Sequence, residues 1–340
     1  VLRKYLLPHT TQHKANLHCH TTLSDGRISP EEMRSAYKRH GYRVMAFTDH
    51  EYIVNHQEFN DSDFIAITGY EIGLYTPELP GSWEDTWRDR KCCHLNLYAK
   101  DPYEDRHVMF DPNALPNHVK GIADILKYIG EKCKRGYEDI QKVIDIANDN
   151  GFIVCLNHPF WSLQPQWDII GLRGLFAIEV YNAGGSDLGK DNPLLNSFMW
   201  NDYGAMVEHG MDVAPIAADD NHNYNYDMEN SDSFRGYTMI CTDDFTYGGI
   251  MKALEEQSFY ASTGIDIFSL YTEDGKVHIE CSQCTNILAF FGGIRWDSIR
   301  DKNGITNTEF IIPKGAKYIR IMLCDERNGY MATTKAYRLS

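Results

Sequence analysis

The sequence predicts an α/β barrel followed by a small all-β domain, with the boundary near residue 264. Two patterns lead to that reading. Before the boundary, short apolar runs alternate with segments of helical periodicity, as parallel strands joined by crossover helices do. After it, short strand-like runs follow one another between Asp-Gly, Gly-Gly, Asn-Gly and Pro-Lys-Gly turns. A chain of 340 residues has room for a barrel of about 250 residues and an appended domain.

Taken in order, the candidate barrel strands are Ala15 to His20, Arg43 to Asp49, Phe64 to Glu71, Cys92 to Ala99, Phe152 to Asn157, Leu175 to Tyr181 and Val213 to Asp219, with Tyr237 to Cys241 as a further one. Seven or eight strands suffice to close a barrel. The first helix is predicted from Ser29, which can cap it, Pro30 in its first turn and Glu32 completing a capping box, and it runs to about Gly41. A second is predicted over Tyr137 to Asn150, where Ile140, Val143, Ile144 and Ala147 share one face. Tyr75 to Arg90 and Pro102 to Lys120 read as long loops flanking strand ends, the usual place for substrate walls. Beyond Phe259 to Gly264, the runs Ile267 to Tyr271, Val277 to Cys281, Ile287 to Phe291, Phe310 to Ile312, Tyr318 to Leu323 and Ala336 to Leu339 predict a sandwich-like domain.

Composition narrows the class. The chain is 43% hydrophobic and 24% charged, as an ordinary globular protein is, and no run approaches the ~18 apolar residues of a membrane helix. With 48 acidic against 33 basic residues the net charge is −15, so the surface repels a long polyanion and argues against duplex nucleic acid as a partner. A small phosphorylated molecule remains compatible, because bound divalent cations reverse the local field. The nine cysteines are an odd count in a chain large enough to do without staples, which predicts reduced thiols and a cytoplasmic address. The opening residues show neither the charged nor the apolar run of a secretory leader.

The chemistry gathers at predicted strand ends. His18-Cys19-His20 closes the first strand, and residues two apart on a strand point the same way. Ser24-Asp25-Gly26 follows, Thr48-Asp49-His50 ends the second strand and Gly69-Tyr70-Glu71 the third. His94 opens the next, Asn157-His158-Pro159 ends another, and Asp219-Asp220-Asn221-His222 ends the last. A His-x-His pair alone says little; its repetition at strand end after strand end is what points to a metal site.

These ordered motifs, with His20 followed by Thr21, resemble those of the polymerase-and-histidinol-phosphatase (PHP) superfamily of metal-dependent phosphoesterases. The resemblance covers residues 16 to 264 and implies a distorted (β/α)7 PHP-type barrel with a trinuclear metal centre at residues 1–264, leaving 265–340 as the β-rich C-terminal domain. Position by position it implies one metal held by His18, His20, Glu71 and Asp220, a second by Glu71, His94 and His158, and a third by Asp25, His50 and His222. Asp25 stands where some relatives carry histidine. His94 is supported only by its place before the strand-like Leu95-Asn96-Leu97-Tyr98.

A mixed set of imidazoles and carboxylates without thiolates suits two to three Mn, Fe or Zn ions better than Mg or Ca. The implied reaction is in-line attack by a metal-bridging hydroxide on a small phosphomonoester or nucleotide phosphate, with Glu71, Asp220 and His222 as the catalytic residues and Asp49 supporting them from behind. Trp161 is a candidate stacking wall or a packing residue. Arg235, Arg88 and Arg90 are candidate phosphate clamps or solvated surface arginines. Cys281 and Cys284 form a lone Cys-x-x-Cys, more in keeping with a packing role than with half a zinc site. Three rival readings are an amidohydrolase-type metal hydrolase, which a bridging carboxylated lysine would favour, an exonuclease on oligonucleotide ends, and a non-catalytic metal-binding module.

Overall fold

A computed structural model describes residues 3–76, 91–184 and 203–339 of the chain. Its first half contains β1 (Lys4–Tyr5), β2 (Gln12–Asn16), β3 (Val44–Phe47), β4 (Ile65–Tyr75), β5 (Cys92–Ala99), β6 (Arg106–Val108), β7 (Lys127–Ile129), β8 (Phe152–Leu156), β9 (Leu175–Asn182) and β10 (Ala214–Ala218). The second contains β11 (Tyr237–Cys241), β12 (Phe259–Ser262), β13 (Ile267–Glu273), β14 (Lys276–Gly292), β15 (Arg295–Ile311), β16 (Tyr318–Asp325), β17 (Tyr330–Thr334) and β18 (Tyr337–Arg338).

Seven strands run side by side in the order β2-β3-β4-β5-β8-β9-β10. Their two ends meet beyond the strands proper: Asp220 N–H donates to His18 O at 2.9 Å, His20 N–H to Asn221 O at 3.2 Å, and Cys19 bridges Asn221 in parallel. Lower down β11 wedges in, pairing antiparallel with β2, while Thr238 Oγ1 accepts from Ala217 N and donates to Ala217 O on β10. The ring therefore closes tightly at the end where the strands deliver their C-terminal residues.

The regular (β/α)7 repeat is not what the strands build. β5 lies antiparallel to both β4 and β8, and an antiparallel pair needs no crossover helix. Between β3 and β4 stands only the 3-10 turn Gln57–Phe59, and between β8 and β9 a four-residue helix, Gln166–Ile169. The direction of β5 was hidden because a strand buried on both faces gives the same apolar run either way.

The two helices that were well signposted form as expected. Helix α1 (Pro30–Arg39) starts at Ser29, whose side chain accepts from Glu32 N while Glu32 reaches back to the Ser29 backbone, a reciprocal cap of about 1 kcal/mol. Helix α2 (Ile140–Asp149) buries Ile140, Val143, Ile144 and Ala147 against β8 Phe152 and Val154 in the largest core cluster. The loop predicted over Pro102 to Lys120 contains β6, which pairs with β7.

The β-rich region after residue 264 continues the same sheet: the order runs β11-β12-β17-β16-β14-β13-β1, with β15 on β14 and β18 on β16. The two runs predicted as Val277 to Cys281 and Ile287 to Phe291 are one strand, β14, with register shifts between Glu280 and Asn286. The predicted Asn-Gly turn at Asn303-Gly304 lies inside β15, with Gly304 at φ +109° where that register shifts. The same irregularity lets Cys281 and Cys284, three apart, bring their sulfurs to 3.9 Å inside the C-terminal core.

Candidate metal centre

The closed end of the ring collects the chemistry. His18 and His20 follow β2 and are fully buried. Glu71 lies within β4, whose register with β5 sets Gly73 opposite His94, so the two side chains arrive side by side. His158 follows β8 at φ +26° and Asp220 follows β10 at φ +49°, left-handed conformations that cost a non-glycine residue about 1–3 kcal/mol. Two glycines permit the close approach. A Cβ at Gly26 would meet His20 O at 2.5 Å, and one at Gly184 would meet Asp220 O at 1.8 Å.

Three sets of ligating atoms result, each mutually within 4.8 Å: His18, His20, Glu71 and Asp220; Glu71, His94 and His158; and His20, Asp25, His50 and His222. All nine residues expected as ligands are brought together, with His20 joining the third set as well as the first. Within the first set His20 Nε2 is 2.9 Å and His18 Nε2 3.1 Å from Asp220 Oδ1, and His20 Nε2 is 3.3 Å from Glu71 Oε2. His94 Nδ1 and His158 Nε2 lie 3.1 and 3.2 Å from Glu71 Oε1. His50 Nδ1 is 3.0 Å from Glu71 Oε2, and His222 Nε2 is 3.4 Å from Asp25 Oδ1.

These residues fit cations. Ligands held about 2.0–2.2 Å from a common ion stand about 3–3.5 Å from one another, the separations found here. Glu71 Oε2 and Asp220 Oδ1 are buried with no hydrogen-bond partner, although ring nitrogens approach both. Lone pairs aimed at a shared point rather than at each other explain both facts. A buried carboxylate oxygen without a donor is otherwise costly.

The far nitrogens of the rings are committed, which fixes the near ones. His18 Nδ1 is 2.7 Å from Glu179 Oε1, His158 Nδ1 3.1 Å from Ser162 Oγ, His94 Nε2 2.9 Å from Tyr75 Oη, and His222 Nδ1 2.9 Å from Asp220 O. Such partners orient a ligating imidazole and raise its basicity. Glu179 Oε2 also accepts from His158 N and Asn182 Nδ2, and Asn157 Nδ2 donates to Glu71 Oε1 at 2.7 Å. Glu179, Asn182, Ser162 and Tyr75 were not singled out from the sequence, yet a carboxylate inside the apolar run Leu175 to Tyr181 was the available signal for Glu179.

Asp49 takes the supporting place expected of it, accepting from Thr21 N, Thr21 Oγ1 and Ser24 Oγ, each at 2.8 Å, and so holding the turn that carries Asp25. Asp219 clamps another segment: it accepts from Phe234, Arg235 and Gly236 N–H and from Tyr37 Oη, and burial still pushes its carboxyl up to about 6.

Electrostatics follow the crowding of carboxylates and rings. Burial alone would raise Glu71, but His18, His94 and His50 hold it well below the ordinary carboxylate range. Burial alone would lower His50, but Glu71 and Asp25 outweigh it and hold the ring at about 9. At His94 burial wins and the ring is lowered.

Of the expected substrate contacts, Trp161 is 36% exposed and stands against His158 and His94, with ring centroids 5.1 and 5.8 Å away. It therefore walls the second set. Arg235 is exposed, with Nε on Ser231 O. Arg88 and Arg90 lie outside the described residues.

Residues 16–152 match the family model of the PHP domain. The matched stretch carries His18, His20, Asp25, His50, Glu71 and His94; His158, Asp220 and His222 complete the three sets from beyond it. No curated protein matches the chain. Among solved structures it is similar to a two-domain protein from Bacteroides vulgatus ATCC 8482 containing an inferred PHP-like metal-dependent phosphoesterase, at 14% identity over 98% of each chain with a TM-score of 0.46. An inferred metal-dependent phosphoesterase from Bifidobacterium adolescentis is similar at 14% identity over 63% of this chain and 89% of that one, with a TM-score of 0.38. An amidohydrolase from Chromobacterium violaceum, with bound sulfate and no metal, is similar at 13% identity over 72% of this chain and 96% of that one, with a TM-score of 0.39. At such distances the activity of the chain has to be argued from its own residues.

Proposed function

We propose that the chain is a metal-dependent phosphoesterase acting on a small phosphomonoester or nucleotide phosphate, with two to three Mn, Fe or Zn ions held by His18, His20, Asp25, His50, Glu71, His94, His158, Asp220 and His222. One observation carries this reading: Glu71 belongs to two overlapping ligand sets, both its oxygens reach rings of more than one strand, and one of them is buried with no hydrogen-bond donor. A shared carboxylate of this kind assembles ions close together. When bound, they supply Lewis acidity toward phosphoryl oxygens and an activated water, which is the chemistry phosphoester hydrolysis needs.

The chain's own groups do the rest. Glu71 and Asp220 fix where the ions sit, and Glu179 and Asn157 fix how His18 and Glu71 are turned. His222 stands at the solvent side with Nδ1 spent on Asp220 O, so its Nε2 serves the third set and the leaving-group side of the reaction. Trp161 offers an apolar wall for the organic part of the ester. Glu71 occupies the bridging place a carboxylated lysine would take in an amidohydrolase, which favours phosphate esters over C–N bonds. A reducing, cytoplasmic compartment accords with nine cysteines present as free thiols. No helix among the described residues is long and apolar enough to cross a membrane.

The test is elemental analysis of protein purified without chelator, together with phosphate release from mononucleotides, bisphosphates, sugar phosphates and bis-p-nitrophenyl phosphate. Two to three transition-metal ions per chain, and turnover lost in His18→Ala, are expected. Full metal content with no phosphoester turned over would overturn the proposal.

A further inference from the structure

The three ligand sets differ in how they meet solvent. The side chains of Asp25 and His50 are 48% and 29% exposed, whereas His94, His158 and Asp220 are nearly sealed. An incoming anion therefore reaches the centre past the third set, whose own protein charge includes Asp25. An arginine stands at that entrance. Arg27 N–H donates to His222 O at 2.9 Å, which pins its backbone beside the third set. The guanidinium carbon lies 5.6 Å from the centroid of the Tyr224 ring. That ring in turn stacks on His222 at 5.1 Å and 24° and brings its hydroxyl within 3.5 Å of Asp25 Oδ2.

Among the described residues, two other arginines already have protein partners. Arg135 is buried on Glu51 and on the carbonyls of Val108 and Met109, and Arg235 donates through Nε to Ser231 O. Arg27 is exposed, and among the described residues no carboxylate lies within ion-pair distance of it, although Asp25 is two positions away. Its partner at hand is an aromatic face, which steadies a guanidinium while leaving its N–H edge free. A planar fork with free N–H groups matches phosphate oxygens.

We infer that Arg27, seated on Tyr224, is the anion-binding arm of the centre, closing on the phosphate oxygens of a ligand held at the set of Asp25, His50 and His222. Its bearing on turnover rests on the phosphoesterase reading above; phosphate binding does not.

The experiment is calorimetric titration of inorganic phosphate into the metal-loaded protein, comparing the wild type with Arg27→Ala and Arg27→Lys, with bound metal measured in each. Expected is about tenfold weaker phosphate binding in Arg27→Ala, an intermediate value in Arg27→Lys and unchanged metal content. For any ester that is turned over, KM should rise about tenfold with kcat nearly unchanged. Equal phosphate affinity in Arg27→Ala and the wild type, or no phosphate binding by the metal-loaded wild type, overturns the inference. Phosphate binding that depends on Arg27 in a protein that hydrolyses no phosphoester would support the anion-binding arm and refute the phosphoesterase reading.

Discussion

The ligand set of His18, His20, Glu71 and Asp220 is closed to water, and the set of Asp25, His50 and His222 is open to it, although the two share His20. The closed set has its His18 ring locked from behind by Glu179, and one oxygen of each carboxylate, Glu71 Oε2 and Asp220 Oδ1, has no donor. The open set hangs on a turn held by Asp49 and carries its carboxylate in solvent. One neighbourhood thus offers a rigid, dry site for an ion that stays and a wetter one through which substrate and solvent pass. The lesson is that ligand identity alone does not make metal sites equivalent; the depth at which the strands deliver each residue does.

The largest expected effect comes from removing what two of the sets share. Glu71→Ala should abolish binding at the first and second sets and lower kcat/KM by more than about 10³-fold, read by elemental analysis beside kinetics. Retention of all the ions would break the picture of a bridging carboxylate. Next, Glu179→Gln touches no ligand atom and takes the charge from behind His18. It should weaken metal at the closed set by about 10–100-fold and leave the open set alone, and equal weakening at both would erase the distinction between them. The smallest is a pH effect. The ring of His50 is held at about 9 by Glu71 and Asp25 against burial, so near neutrality it carries a proton that a metal must expel. Affinity at the open set should therefore rise with pH, by about tenfold per unit below pH 9 where one proton is displaced. By contrast His94 is lowered by burial and is ready to ligate at neutral pH. Metal content that stays constant from pH 9 down to pH 6 would argue against that difference.

The sequence made the ligands legible because each stood where an apolar run stopped: His18 and His20, His50, His158, Asp220 and His222 are all residues that a buried strand would not carry without a purpose. Glu71 was read as ending a strand that in fact runs on to Tyr75, and His94, inside β5, was supported only by its place before Leu95 to Tyr98. What lay behind the ligands was harder to see. Glu179 was one polar residue in a strand otherwise read for its apolar character, and Tyr75 sat at the edge of a predicted loop. Strand direction was not encoded at all in β5, whose buried alternation is the same read either way. In the C-terminal region Tyr330–Thr334 escaped notice because Ala332, Thr333 and Thr334 lack the large apolar side chains that announce a strand, although they are buried there between β12 and β16. Arg27 was passed over for arginines in longer loops, since nothing in its local sequence tells that His222 and Tyr224, nearly two hundred residues away, will lie beside it.

The hydrogen bonds joining β12 to β17, from Tyr260 opposite Thr334 to Ser262 opposite Ala332, make the last residues of the chain the outer neighbour of a strand that supports the ring through β11. A protease cut near residue 264 that released the C-terminal part would strip β12 of one side of its ladder and leave a raw edge open to pairing with other chains. The strand formed by Tyr330–Thr334 therefore works as a splice: lying between β12 and β16, it ties the strands that support the ring to the rest of the long sheet.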